Sequence, residues 1–226
     1  MKLRAPMKLS EKTINLLKNF SDINQSILFK KGNKLRTISV MKNILAEADI
    51  PEDFPKDFGI YDLNQFLRGV FLHNKPELDF ANEGHVVIRE GKTRSKYFFA
   101  DPSVIVTPPD KELILPTVDV EFELSTEQLD KVRKAVLAFQ LPDLSVVGHG
   151  GDVKLVVHDK KNDTSNDFQV NVGETDSEFC FNFKVENIKI LPGSYKVAIS
   201  SKLLSRFTNN DYDLTYYIAL EPDSNY

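Results

Sequence analysis

The chain has 226 residues, 41% of them hydrophobic and 27% charged, with a formal net charge of -4. That length holds one large domain or two of about 100 residues, and either buries a real core. No apolar run approaches the roughly 18 residues of a membrane span, and "MKLRAPMKLS" at the N-terminus lacks the apolar core of a secretory signal. The lone cysteine, Cys180, leaves no internal disulfide or cysteine metal cluster and suits a reducing compartment.

Residues 1–6 are expected to form a short flexible arm. The first periodic stretch, about 8–20, predicts a helix with Leu9, Thr13, Leu16, Leu17 and Phe20 on one side and Lys8, Lys12, Asn15 and Asn19 on the other. "KKGNK" (30–34) and "NEGH" (82–85) mark turns between strands, and "DLNQFLRGVFL" (62–72) predicts a second helix. Four prolines and no helical period make 101–117 an extended connector, unusual in carrying apolar residues. "VDVEFEL" (118–124) alternates Val118, Val120, Phe122 and Leu124 with three acidic residues. A third helix over 125–139 opens with a capping box, Ser125 and Gln128, and has the stripe Leu129, Val132, Val136, Phe139. "GHGGD" (148–152) and "LPGS" (191–194) mark further turns. "EFCFNFKV" (178–185) alternates Phe179, Phe181 and Phe183 with Glu178, Cys180 and Asn182, and "KVENIKIL" (184–191) predicts a fourth helix. Strands with one apolar and one polar face belong to antiparallel sheets, so the fold class is α+β.

The order repeats. Leu-Ser, helix, strand, glycine turn and strand recur with starts at Ser10 and Ser125, and each half later feeds a strand into a short helix. This divides the chain into a domain over 1–103, a connector over 104–117 and a similar domain over 118–226. The four helical stretches hold Lys8, Lys12, Lys18, Arg68, Lys131, Arg133, Lys134, Lys184 and Lys189 against five acidic residues, an excess of +4 that leaves -8 elsewhere. On charge alone a solvated helix face is the more common source of so small an excess; a surface attracting a polyanion is the alternative. Nothing resembles a helix-turn-helix or zinc finger, so a nucleic-acid contact here would read the backbone rather than the bases.

Other chemistry is sparse. "GKT" at 91–93 lacks the first glycine of a phosphate-binding loop, since Val86 stands there. His73, His85, His149 and His158 are scattered without metal spacing and are expected in turns or exposed strand positions. Cys180 is expected on the face opposite the phenylalanines, exposed or against a partner sheet, with no histidine to activate it. No cofactor, metal or catalytic constellation is expected.

The stretches "MKLSEKTINLLKNFSDIN" (7–24), "LAEADI" (45–50), "IYDLNQFL" (60–67), "ADPSVIV" (100–106), "FNFKVENIKILPGSYKV" (181–197) and "YYIALEPDS" (216–224) resemble DNA polymerase sliding clamps, most closely those of T-even-type tailed phages. "YYIAL" also resembles the end of proliferating cell nuclear antigen. The arm before Met7, the connector and 198–213 depart from the phage pattern. The resemblance implies two clamp domains with two helices each, and a homotrimeric ring of six such domains. Helices would face double-stranded DNA and bind it without regard to sequence. An ATP-dependent clamp loader would place the ring, which would tether the DNA polymerase and catalyse nothing, in the host cell cytoplasm.

It also implies roles for residues. The nine basic residues above would face DNA. Leu113, Ile114 and Leu115 of the connector, with Ile218, Ala219 and Leu220, would wall a groove for partner peptides. "SKYFFAD" (95–101), with Tyr97, Phe98 and Phe99, would pair with "DFQVNVGE" (167–174), with Phe168, Val170 and Val172, of the next subunit. The competing classes are a β-rich virion or scaffold protein, which needs no basic helices, and an enzyme.

Overall fold

The computed structural model describes residues 6–226 and divides the chain into a first unit ending at Asp110 and a second beginning at Lys111. In the first unit, α1 (Glu11–Ile23) buries Leu16, Leu17, Phe20 and Ile23. Its start is doubly fixed. The Ser10 hydroxyl accepts from the Thr13 N–H (3.2 Å), and the buried Glu52 carboxylate accepts from the Ser10 N–H and the Thr13 hydroxyl. Glu52 lies on β3, so this negative charge at the helix N-terminus ties helix to sheet.

The strands are β1 (Ile27–Phe29), β2 (Gly32–Ile38), β3 (Ile44–Phe54) and β4 (Phe58–Ile60). Asp62 then caps α2 (Leu63–Phe71) through the Gln65 N–H, and α2 packs on α1. β5 (Glu77–Asp79), β6 (His85–Glu90) and β7 (Thr93–Phe98) form an antiparallel sheet, extended by a bridge from Met7 to Leu78. β1 pairs with β4 and β2 with β3, both antiparallel. Phe29, Phe54, Phe58, Phe80 and Phe99 pack ring on ring, with centroids 4.5–5.9 Å apart. "GKT" is the β6–β7 hairpin turn.

The second unit repeats the scheme. After β8 (Val120–Leu124) come α3 (Thr126–Phe139), β9 (Asp143–His149), β10 (Asp152–His158), β11 (Phe168–Glu174), β12 (Phe179–Lys184), β13 (Tyr195–Ser200), β14 (Leu204–Asn209) and β15 (Leu214–Ala219). Two antiparallel sheets result, β8–β13–β14–β15 and β11–β10–β9–β12. The expected capping box of Ser125 and Gln128 opens α3. Gly150 and Gly151, at φ 62° and 92°, make the β9–β10 turn, a left-handed pair that suits glycine. β9 pairs with β12 as β1 pairs with β4, and β8 pairs with β13 as Met7 bridges β5.

Four expectations fail. Asn19, expected on the polar side of α1, is buried. The predicted helix over 184–191 is a single 3-10 turn, Val185–Asn187. Lys184 still belongs to β12, Pro192 and Gly193 follow closely, and Val185, Ile188 and Ile190 are β-branched. Too few residues remain to offset helix nucleation. In α3 the buried stripe is Leu129, Val132 and Ala135; Val136 is half-buried and Phe139 is 45% exposed. Phe139 is the last residue of the helix, which turns left-handed at Gln140, φ 52°. His73 is buried, with Thr93 and Ser95 hydroxyls 3.4 Å from its ring nitrogens, where exposure was expected.

Lys184 has a structural partner. Asp143, buried at the start of β9, accepts from the Lys184 ammonium and from the Lys160 N–H at 3.0 Å. Burial opposes ionisation of Asp143, yet the Lys184 hydrogen bond, the Lys160 amide and both lysine charges prevail and hold its pKa below the usual carboxylate value. Asp143 raises the pKa of Lys184 in return.

Two predictions follow from these ties. Glu52→Ala strands the Ser10 N–H and the buried Thr13 hydroxyl, and should cost about 1–3 kcal/mol in urea unfolding; an unchanged midpoint would show the tie to be dispensable. Because Asp143 is depressed in the folded state, its stabilisation is complete above the unfolded value of about 3.9 and is lost as pH falls through the folded value. Asp143→Asn should therefore lower stability at neutral pH and flatten the acid limb of a stability–pH curve. An acid limb as steep as the wild type's would place the titrating carboxylates elsewhere.

Candidate functional site

The basic residues separate into helix-borne and structural groups. Lys12 and Lys18 lie on α1, Arg68 on α2, and Lys131, Arg133 and Lys134 on α3. Lys8 precedes α1 and pairs with Glu77 at 3.5 Å. Lys18, Arg68, Lys131 and Lys134 are exposed. The Lys18 ammonium sits 5.0 Å from the Phe71 ring centroid, which brings the basic side of α1 to the end of α2. Lys131 pairs with Glu127 one turn back at 2.7 Å.

Arg133, Lys184 and Lys189 differ from expectation. The Arg133 guanidinium donates to the Ile190 carbonyl and so ties the loop after the 3-10 turn to α3. Lys184 is a strand residue neutralising Asp143, and Lys189 is an exposed residue of that tied loop. The three α-helices carry six basic residues against Glu11, Asp22, Glu127 and Asp130, an excess of +2, so the remainder carries -6. The contrast between helices and the rest keeps its sign and loses half its expected helix excess.

β7 and β11 stand at sheet edges, each hydrogen-bonded to one neighbouring strand among the described residues. On β7, Tyr97 is half-buried, with its hydroxyl donating to the Asp62 carbonyl at 3.0 Å, while Phe98 is 70% exposed. Phe99 lies just beyond β7 against Phe58. On β11, Phe168, Val170 and Val172 are half-buried.

On the β9 and β12 side of the same sheet, away from the β11 edge, is a feature the sequence reading missed. An apolar cleft of ≈ 220 Å³ opens between α3 and the 3-10 turn, lined by Val132, Val136, Leu137, Leu144, Val185 and Ile188. It lies where a second helix would pack if the second unit followed the first, in which α2 covers α1. Leu137 is 78% exposed at its rim. The signal was present: with the halves aligned on Ser10 and Ser125, Val136 and Leu137 replace Ser21 and Asp22.

The connector and tail divide by burial. Leu115, Ile218 and Leu220 are buried, Leu113 and Ala219 are half-buried, and Ile114 is 69% exposed. Cys180 is half-buried beneath the C-terminal residues, and burial pushes its thiol pKa up.

Comparison with known proteins accounts for this arrangement. Residues 8–107 match the DNA polymerase processivity factor family, and residues 121–222 match the C-terminal domain of the gp45 sliding clamp. A sliding clamp of Vibrio phage KVP40 is 35% identical over 221 residues, covering 95% of this chain and 99% of its own. The sliding clamp of Enterobacteria phage T4 is 31% identical over 225 residues, covering 96% and 98%. Among solved structures, the PCNA of A. fulgidus, bound to the C-terminal region of FEN-1, aligns at a TM-score of 0.70 with 15% identity, over 98% and 99% of the two chains. PCNA of Entamoeba histolytica aligns at 0.66 with 13% identity, over 92% and 94%. At such identities the likeness concerns the fold. With both halves matched and relatives above 30% identity along nearly its whole length, the chain belongs to the sliding clamp family of DNA polymerase processivity factors.

Proposed function

We propose that three copies of this chain close into a ring around duplex DNA, that an ATP-dependent loader places the ring, and that it tethers the replicative polymerase without catalysing a reaction itself, in the host cytoplasm. The observation carrying this reading is that both halves match clamp families while the fold repeats across them. Exposed Lys18, Arg68, Lys131 and Lys134 on the helices support a DNA-facing role, with Lys8, Lys12 and Lys189 beside them and Arg133 and Lys184 acting within the fold. Lysine contacts to phosphate are independent of sequence and weaken with salt. A sliding ring needs contacts of that kind. The negative remainder of the chain disfavours DNA elsewhere.

The two open edges supply the subunit contact. β7 of one copy adds to β11 of the next, covering backbone groups that otherwise invite nonspecific pairing. Phe98, 70% exposed on β7, would be covered by that pairing. Partner peptides dock with apolar anchors between Leu113–Leu115 and Ile218–Leu220, where Leu115, Ile218 and Leu220 form the packed floor and Ile114 is available to the ligand.

The DNA-facing assignment is tested on nicked circular DNA. Lys131→Glu with Lys134→Glu should leave the fold intact and lower the slope of log retention against log salt by about two, one for each lost phosphate contact. Wild-type protein should leave when the circle is cut. Retention with an unaltered salt slope would place α3 away from DNA. The subunit contact is tested by sedimentation: Phe98→Asp should weaken assembly at least about tenfold, or roughly 1.4 kcal/mol per contact. An assembly constant equal to the wild type's would remove Phe98 from the interface.

A further inference from the structure

The residues after β15 continue as an ordered strap. At Leu220 the chain leaves the β8–β13–β14–β15 sheet, with the Leu220 N–H donating to the Leu203 carbonyl at 3.1 Å, and crosses to the free edge of β12. There the Glu221 N–H donates to the Asn182 carbonyl at 2.8 Å, and Asn225 and Cys180 exchange backbone hydrogen bonds of 2.9 and 3.0 Å. The Asn182 N–H donates to the Ser224 hydroxyl at 2.9 Å, and the Lys160 ammonium donates to both Asp223 carboxylate oxygens at 3.0 and 2.7 Å. The Tyr226 ring stacks 6.0 Å from Phe181, and its hydroxyl donates to the Asp119 carbonyl at 3.4 Å.

One end of this strap adjoins the candidate peptide groove and the other reaches the foot of the connector. It begins directly after Ala219 and Leu220, which belong to one wall. It ends on Asp119, whose carboxylate accepts from Thr117 at 2.7 Å, where the connector bearing the other wall ends. A short segment thus ties one wall, and the end of the connector that bears the other, to β12. Its hold is modest: Tyr226 is 56% exposed, and Asp223 of the ion pair is 59% exposed. Segments with few buried apolar contacts open locally at far less free energy than global unfolding requires.

We propose that residues 221–226 are an edge strap whose docking on β12 preforms the groove between Leu113–Leu115 and Ile218–Leu220, so that strap docking and binding of an apolar-anchored partner peptide favour each other. The inference rests on the groove assignment given under the proposed function. Coupling between two sites is reciprocal. Peptide must therefore close the strap by the same factor by which the docked strap tightens peptide.

Cys180 reports strap opening, because it is the sole cysteine and its backbone is bonded to Asn225. The probe is a labelled synthetic peptide carrying the C-terminal residues of the cognate replicative polymerase. Saturating peptide should slow iodoacetamide alkylation of Cys180 about fivefold, and deleting residues 222–226 should weaken peptide binding by about the same factor. In the truncated chain, alkylation should be fast and insensitive to peptide. Tyr226→Ala, which removes one exposed ring, should shift both quantities the same way and decides the matter if the truncation unfolds. Peptide binding by the full chain with alkylation unchanged, or equal affinity in truncated and full chains, overturns the coupling and leaves the groove standing. Failure of the full chain to bind the peptide overturns the groove and the coupling together.

Discussion

Burial of one apolar stripe on each principal helix fixes nearly everything else about the surface. Leu16, Leu17 and Phe20 of α1, and Leu129, Val132 and Ala135 of α3, face the sheets of their own units. Each such Leu, Val or Phe side chain contributes about 1.5–3 kcal/mol on burial, more than a typical exposed ion pair. With the stripe committed, exposed charge on each helix occupies the opposite side, and the strands direct their polar faces elsewhere. A basic helix surface on an acidic protein therefore follows from packing, and it requires only that lysine occupy the positions left over.

The two helix starts show how firmly that orientation is set. Ser125 and Gln128 cap α3 from within the helix, while α1 recruits Glu52 from β3. The second arrangement links helix placement to the register of the β2–β3 hairpin: a one-residue slip would send Glu52 to the opposite face. Local capping and tertiary packing agree in both units, the kind of consistency expected of a sequence that specifies one fold.

α1, α2 and α3 and the strands with clean alternation were legible from their periodicities, and the cap of α3 stands at the predicted Ser125 and Gln128. The repeat was legible as an order of element types. Position 184–191 misled because apolar spacing in a short segment does not distinguish a helix from a loop with anchored side chains; Pro192, Gly193 and the β-branched residues were the better guide. Charge counting went astray in part through this segment, which added Lys184 and Lys189 against Glu186, and in part at α1, which was credited with Lys8 and ended before Asp22. The apolar cleft was not legible from periodicity, because it arises from a helix the second unit lacks. The Asp143–Lys184 pair joins residues 41 positions apart, and sequence spacing carries no sign of such a contact.

The departures from internal symmetry are where the proposed ring acquires its direction. A closed ring of identical chains needs a heterologous contact, in which two different surfaces of each copy meet. Two perfectly equivalent units would offer similar edges and could pair in more than one way. Here the first unit presents an edge strand with an exposed phenylalanine and fills its helix layer with α2. The second presents an edge strand with half-buried Phe168, Val170 and Val172, and its segment corresponding to α2 stops after one turn. Backbone pairing along the edges is nearly blind to side chains, so it supplies adhesion without choosing a partner. Under the proposed pairing, the choice falls to the side chains along two unlike edges, the exposed Phe98 of β7 against Phe168, Val170 and Val172 of β11.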